Sequence, residues 1–289
     1  MRGKCALLYH CCTMRVVYVL LLGEMSGMSF EIGLAQTVHP KDGDVVGMVK
    51  RYAEQARMYD VDLLVFPEAL MTPFEKTPEE YRAIAEPVGG AFSQAIAEYA
   101  KRYGIWILYT MLEEAPEGKQ PYNTAVLVDD KGKIQTTYRK THLFDTDTIQ
   151  ESERITPGEN LHIPTATPFG KIGIGICYDL RFPELARNAA LEGCDVMIYT
   201  AAWLDGPRKA DHWKSLLRAR AIENEFFVVG LSRCDSGYLG RSLIVNPFGE
   251  VIEETGPIMD LVVATIDLEE VAEARAAMPV LNHVRNDLY

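Results

Sequence analysis

Apolar segments of two different periods alternate along the chain from Phe30 onward, and this alternation limits the fold more than any other feature. Phe30 to Ala35 is a short apolar run of strand character. Val45 to Met58 spaces its apolar side chains for one face of a helix and its charges for the other. Val61-Asp62-Leu63-Leu64-Val65-Phe66 reads as a buried strand stopped by Pro67. A second amphipathic helix spans about Ala91 to Tyr103, with Gly104 as its C-terminal cap, and Ile105 to Met111 is the next strand. Thr124 to Val128 and Lys133 to Arg139 flank Asp129-Asp130-Lys131-Gly132, a hairpin turn. Ile172 to Ile176, Val196 to Thr200, Phe226 to Leu231, Leu243 to Asn246 and Leu261 to Ile266 supply further strands. Helices are expected over Pro183 to Glu192 and Asp211 to Glu225, with a tight turn at Pro247-Phe248-Gly249-Glu250. Hairpins mixed with helix-separated strands imply sheets covered by helices, a layered α/β or α+β domain. Pattern alone leaves one sheet or two open.

The body from residue 28 to 289 contains no repeat, low-complexity tract or linker, so it is expected to form one domain. With 48% hydrophobic and 24% charged residues the whole chain can bury a substantial core. The formal net charge of -12, without a Lys/Arg cluster, argues against sequence-independent nucleic-acid binding. Residues 1–27 differ from the rest. Arg2 and Lys4 precede an interrupted apolar stretch that Arg15 breaks, far below the ~20 residues needed to span a bilayer. The segment reads as an extension outside the fold or as a weak secretory signal, and no small-residue cleavage site favours the signal. Of six cysteines, Cys5, Cys11 and Cys12 fall in this extension. The other three, Cys177, Cys194 and Cys234, are too widely spaced for a disulfide framework and suit a reducing cytoplasm. No CxxC or HExxH spacing offers a metal site.

Three residues at strand ends carry chemical possibilities. Cys177 follows Gly170-Lys171-Ile172-Gly173-Ile174-Gly175-Ile176, so a buried strand delivers the thiol to a turn before a helix. Such a turn exposes a nucleophile and aims the next backbone N–H at a developing oxyanion. An isolated cysteine is more often an inert core residue. Glu68 sits just past the Val61–Phe66 strand, where desolvation would make it a better base and a solvated loop position would leave it idle. Lys140 ends the Lys133–Arg139 strand, where a lysine is by default a solvated surface cation, and Arg139 should point to the opposite face. Together they make an assembly: Glu68 accepts the thiol proton, and Lys140 with a backbone N–H stabilises the oxyanion of an attacked amide. His142, two residues past Lys140, is the rival base, and the residues alone leave that choice open.

Phe66-Pro67-Glu68, Tyr138-Arg139-Lys140-Thr141-His142-Leu143 and Gly175-Ile176-Cys177-Tyr178-Asp179-Leu180-Arg181-Phe182-Pro183-Glu184 together resemble the nitrilase, or carbon–nitrogen hydrolase, superfamily. His212-Trp213, Arg218-Ala219-Arg220-Ala221-Ile222-Glu223-Asn224 and Ser242-Leu243-Ile244-Val245-Asn246-Pro247-Phe248-Gly249-Glu250 extend the resemblance, which spans roughly residues 28 to 270. It implies a four-layer α-β-β-α sandwich that usually dimerises, and a Glu-Lys-Cys triad of Glu68, Lys140 and Cys177. It also implies a second glutamate orienting that triad, matched by Glu151 with Glu153 as the fallback. Lys140-Thr141-His142-Leu143-Phe144-Asp145-Thr146-Asp147 and Cys177-Tyr178-Asp179-Leu180-Arg181-Phe182 are most similar to the omega-amidase branch, which hydrolyses small dicarboxylic monoamides such as 2-oxoglutaramate. The stretch from Asp147 to Glu151 is shorter than in typical omega-amidases. On this reading Tyr178 gives an oxyanion N–H, and Arg181 either pairs with a substrate carboxylate or forms a salt bridge with Glu184 or Asp179. The expected partner is a small-molecule amide, without nucleic acid, membrane, metal or organic cofactor. N-carbamoyl amidase and nitrilase activities are alternatives for the same triad, and a non-catalytic binding protein is the alternative from another class.

Overall fold

The computed structural model describes residues 29–289 other than Glu75, Asn286 and Tyr289, so the expectations for residues 1–27 lie outside the described residues. Twelve strands form two six-stranded sheets among them. The first sheet runs β12 (Asp260–Asp267), β1 (Ser29–Gln36), β2 (Leu63–Val65), β3 (Trp106–Glu113), β4 (Tyr122–Val128) and β5 (Ile134–Arg139). The second runs β11 (Val251–Glu254), β10 (Leu243–Val245), β9 (Phe227–Ser232), β8 (Val196–Ala201), β7 (Gly170–Ile176) and β6 (Thr165–Thr167). Each has the same plan. Three parallel strands, β1-β2-β3 or β7-β8-β9, are continued on one side by an antiparallel pair and on the other by a single antiparallel strand.

Strand periodicity decides which residues face which layer. Leu63, Val65, Trp106, Leu108, Ala125 and Leu127 join one core with Ile172, Ile174 and Ile176 of the other sheet. Their neighbours Leu64, Phe66, Ile107, Tyr109, Val126 and Val128 turn outward, to pack with helices α1 (Val45–Met58) and α3 (Ala91–Tyr103). These central strands are buried on both faces and read as continuous apolar runs for that reason. On the second sheet, helices α4 (Pro183–Leu191) and α5 (Lys209–Asn224) form the outer layer. Gly173 lies beneath α4, where an added Cβ would fall 2.9 Å from the Cys194 sulfur and 3.6 Å from Ala189. Gly230 lies beneath α5, where a Cβ would come within 2.4 Å of Leu217. The order is helix, sheet, sheet, helix, the expected four-layer sandwich. Two short helices, α2 (Pro78–Ile84) and α6 (Glu269–Ala277), complete the described helices. No described helix is long and apolar enough to cross a membrane.

Local chemistry places the helix ends. Asp44 accepts the Gly47 N–H at 2.8 Å at the start of α1. Gly104 closes α3 in the left-handed conformation at φ 65.

Candidate active site

Glu68, Lys140 and Cys177 leave their strands at one end of the sandwich and meet in a cleft. Glu68 lies three residues past β2, where Thr110 fixes the turn: its hydroxyl donates to the Pro67 carbonyl at 3.1 Å and accepts the Leu70 N–H at 3.3 Å. The carboxylate is 1% exposed and fully engaged. Its Oε1 accepts from Asn123 Nδ2 at 2.8 Å and Lys140 Nζ at 2.9 Å, and its Oε2 from the Ala202 N–H at 2.8 Å. Ala202 follows β8, so Glu68 is tied to both sheets.

Lys140 continues the β5 ladder by donating its N–H to the Asn123 carbonyl at 2.9 Å. The strand period buries Lys140 and turns Arg139 outward, onto Glu113 and the Tyr122 ring. Beyond Glu68, the Lys140 ammonium donates to both oxygens of Glu151 at 2.9 Å. Burial works against its charge, but the Glu151 and Glu68 carboxylates override this and hold its pKa well above the ordinary lysine value. Burial raises the Glu151 pKa, with Lys140 opposing and Glu68 reinforcing. Glu151 Oε2 also accepts the Phe144 N–H at 2.7 Å. Glu153, the fallback, is exposed. Between Phe144 and Glu151 the chain makes a compact turn in which the Thr146 N–H donates to the Ile149 carbonyl at 2.7 Å, and Phe144 and Ile149 line the cleft.

Cys177 opens a 3-10 turn, Cys177–Arg181, with φ 49. A non-glycine residue held left-handed costs about 1–3 kcal/mol and persists where surroundings over-determine it. Buried Asp179 supplies that constraint. It accepts the Ile176 N–H at 2.9 Å and the Tyr138 hydroxyl at 2.8 Å on one oxygen, and the His142 N–H at 3.1 Å on the other. The turn bearing the thiol is therefore bolted to the strand bearing Lys140. Burial and the Glu68 charge push the thiol pKa well above its ordinary value, with Lys140 pulling the other way. The resting group is a thiol beside a carboxylate.

His142 is turned away from this chemistry. Its Nδ1 lies 2.7 Å from Asp179 Oδ1 and its ring stacks on Phe182 at 3.7 Å. Tyr178 and Arg181 line the cleft, and the Arg181 guanidinium lies 4.9 Å from the centre of the Trp203 ring. Asp179 is occupied as described, and the alternative reading of Arg181, a salt bridge to Glu184 or Asp179, is not found among the described residues. Of the residues that escaped the sequence reading, two touch or face the charged groups. Asn123 binds Glu68 through its side chain and Lys140 through its carbonyl, and the signal was a buried asparagine opening an apolar strand. Lys209 enters the cleft from the first turn of α5, with no motif to mark it.

The carbon-nitrogen hydrolase family model matches residues 32–276. The chain belongs to the carbon–nitrogen hydrolase family. The omega-amidase NIT2 of Danio rerio is 35% identical over 258 residues, 85% of this chain and 91% of that protein. The deaminated glutathione amidase of Bos taurus is 35% identical over 230 residues, 74% of this chain and 69% of that one. Among solved structures, the Caenorhabditis elegans NitFhit protein superposes with a TM-score of 0.83 at 28% identity, covering 92% of this chain and 67% of that one. This family membership and the matching fold agree with the resemblance drawn from the motifs.

Proposed function

We propose that this carbon–nitrogen hydrolase is an amidase that works through a thioester on Cys177, with Glu68 as base, Lys140 as oxyanion partner and Glu151 as the residue orienting both. The observation that carries the proposal is the meeting of a protonated thiol, a carboxylate and a paired ammonium in one cleft. Glu68 takes the thiol proton as sulfur attacks the amide carbon, and the Lys140 ammonium with the Tyr178 N–H receives the oxyanion. Collapse expels ammonia, protonated by Glu68, which then activates water to hydrolyse the thioester.

The substrate class we assign is the monoamide of a small dicarboxylic acid, in line with the omega-amidase relatives. Arg181 supports this, since its planar fork suits a carboxylate. Exposed Leu191, Ile222 and Phe248 on and beside the α4–α5 layer support a homodimer, and unpaired Cys177, Cys194 and Cys234 support a reducing cytoplasm.

Intact mass after mixing with an amide should show an acyl adduct, absent from Cys177→Ala. Wild-type ammonia release by Cys177→Ala would overturn the mechanism. Glu68→Gln should abolish turnover while His142→Asn retains much of it. Ammonia release from dicarboxylic monoamides, carbamoyl amino acids and nitriles distinguishes the amidase from its two alternatives, and carbon dioxide release marks a carbamoyl substrate.

A further inference from the structure

The charges lining the cleft are divided. Among the described residues the carboxylates there, Glu68 and Glu151, both hold Lys140. Arg154, also in the wall, donates to the Phe74 carbonyl at 3.2 Å, whereas Arg181 and Lys209 have neither a carboxylate nor a carbonyl partner for their side chains among the described residues, although both face the cavity. In a chain of net charge -12, this end of the cleft has the opposite sign to the molecule as a whole.

Lys209 is held there by the chain around it. Arg208, just before it, is left-handed at φ 63. Trp203 donates its indole N–H to the Lys209 carbonyl at 3.2 Å, while its ring face carries Arg181. One indole therefore anchors the Lys209 backbone and lies under the Arg181 guanidinium. The Lys209 ammonium rests 5.4 Å from the centre of the Phe144 ring, itself part of the cleft wall. Burial and repulsion from Arg181 lower the Lys209 pKa, opposed by the Cys177 sulfur, which places all three groups within electrostatic reach. Two unpaired cations facing one space cost free energy that an anion between them returns.

We propose that Lys209 is a specificity-determining, substrate-binding residue that clamps the distal carboxylate of the acyl group together with Arg181. The inference rests on the amidase reading and adds to it a second cation. Arg181 engages the carboxylate with its planar fork, and Lys209 supplies a compact point charge to the remaining lone pairs. Substrates with a neutral tail gain nothing from Lys209.

The test compares kcat/KM for succinamate and for butyramide, which replaces the carboxylate with a methyl group, in wild type, Lys209→Met and Lys209→Arg. Lys209→Met should lower the succinamate value about 10- to 100-fold, chiefly through KM, and change the butyramide value less than about threefold. Lys209→Arg should restore most of the loss. Equal losses on both substrates, or none on succinamate, would overturn the proposal. Calorimetric binding of succinate, the product, gives a readout without turnover, and unchanged affinity in Lys209→Met would also overturn it. A wild-type enzyme that prefers butyramide defeats the carboxylate reading itself, whereas one that prefers succinamate without help from Lys209 defeats only this inference.

Discussion

Lys140 and Lys209 face the same cleft in opposite circumstances. Lys140 is 2% exposed and gives three hydrogen bonds to two carboxylates, and its pKa is raised. Lys209 is partly exposed, its pKa is lowered, and its neighbours are an aromatic ring and another cation. Desolvation disfavours charge at both positions, so the difference comes from what the chain supplies around each. A charge completed inside the protein is fixed before substrate arrives, and suits the reacting centre. A charge left incomplete suits recognition, because its partner arrives with the ligand.

Removing the completed charge should have the largest effect. Lys140→Met leaves Glu68 and Glu151 facing each other without a counterion. We expect kcat/KM to fall at least about 10³-fold through loss of the oxyanion partner. Urea unfolding should show about 3–5 kcal/mol of lost stability from the broken buried ion pairs. Activity within tenfold of wild type would break the distinction between the two lysines. Glu151→Gln comes next. It keeps the shape and a hydrogen-bond acceptor but removes one charge from Lys140, so kcat should fall about 10- to 100-fold through misplacement, with KM little changed. A change confined to KM would place Glu151 in substrate binding instead.

Alkaline pH should separate the lysines without mutation. Lys140 has its folded pKa raised above 10.5, so its contribution to stability is complete below 10.5 and is lost only as pH rises through the higher folded value. Lys209 has its folded pKa lowered below 10.5, so in the free enzyme its charge disappears first. The groups acting on it are Arg181 and Cys177. The ratio of kcat/KM for succinamate to that for butyramide should therefore decline as pH rises toward 10.5, while the protein stays folded. A constant ratio over that range would show that Lys209 does not sense the carboxylate.

This contrast was only half legible in the sequence. Lys140 could be placed because the motif around it is distinctive; the residue alone reads as a surface cation, and the strand period only sets it on the face opposite Arg139. Helices α1 and α3 were equally plain, with amphipathic faces bounded by a cap residue. Helix α2 was overlooked although Thr77 and Glu80 form a reciprocal capping box before a short and weakly apolar segment. The edge strands β6 and β11, of three and four residues, have too little pattern to register. Asn123 and Lys209 belong to the site through tertiary approach: one from a neighbouring strand, the other from a turn whose left-handed Arg208 carries no glycine signature. Glu151 was reached through family resemblance, since its burial depends on Lys140 and the Phe144 N–H rather than on a periodic pattern.

The smallest predicted effect is also the one whose sign the comparison determines. At neutral pH Lys209 is charged in the unfolded chain and in the folded one, but the folded charge is partly desolvated and repelled by Arg181. Its lowered pKa means that folding favours the neutral form, so an uncharged side chain removes a cost. Solvent at the mouth of the cleft screens that repulsion, which limits the gain to no more than about 0.5 kcal/mol. Lys209→Met should therefore unfold at equal or slightly higher urea concentration than wild type, opposite in direction to Lys140→Met. Adding succinate should reverse the order, because the anion stabilises the wild-type pocket more than the variant by its difference in affinity. A Lys209→Met protein clearly less stable than wild type without ligand would mean that the chain, rather than the substrate, supplies the partner of this lysine.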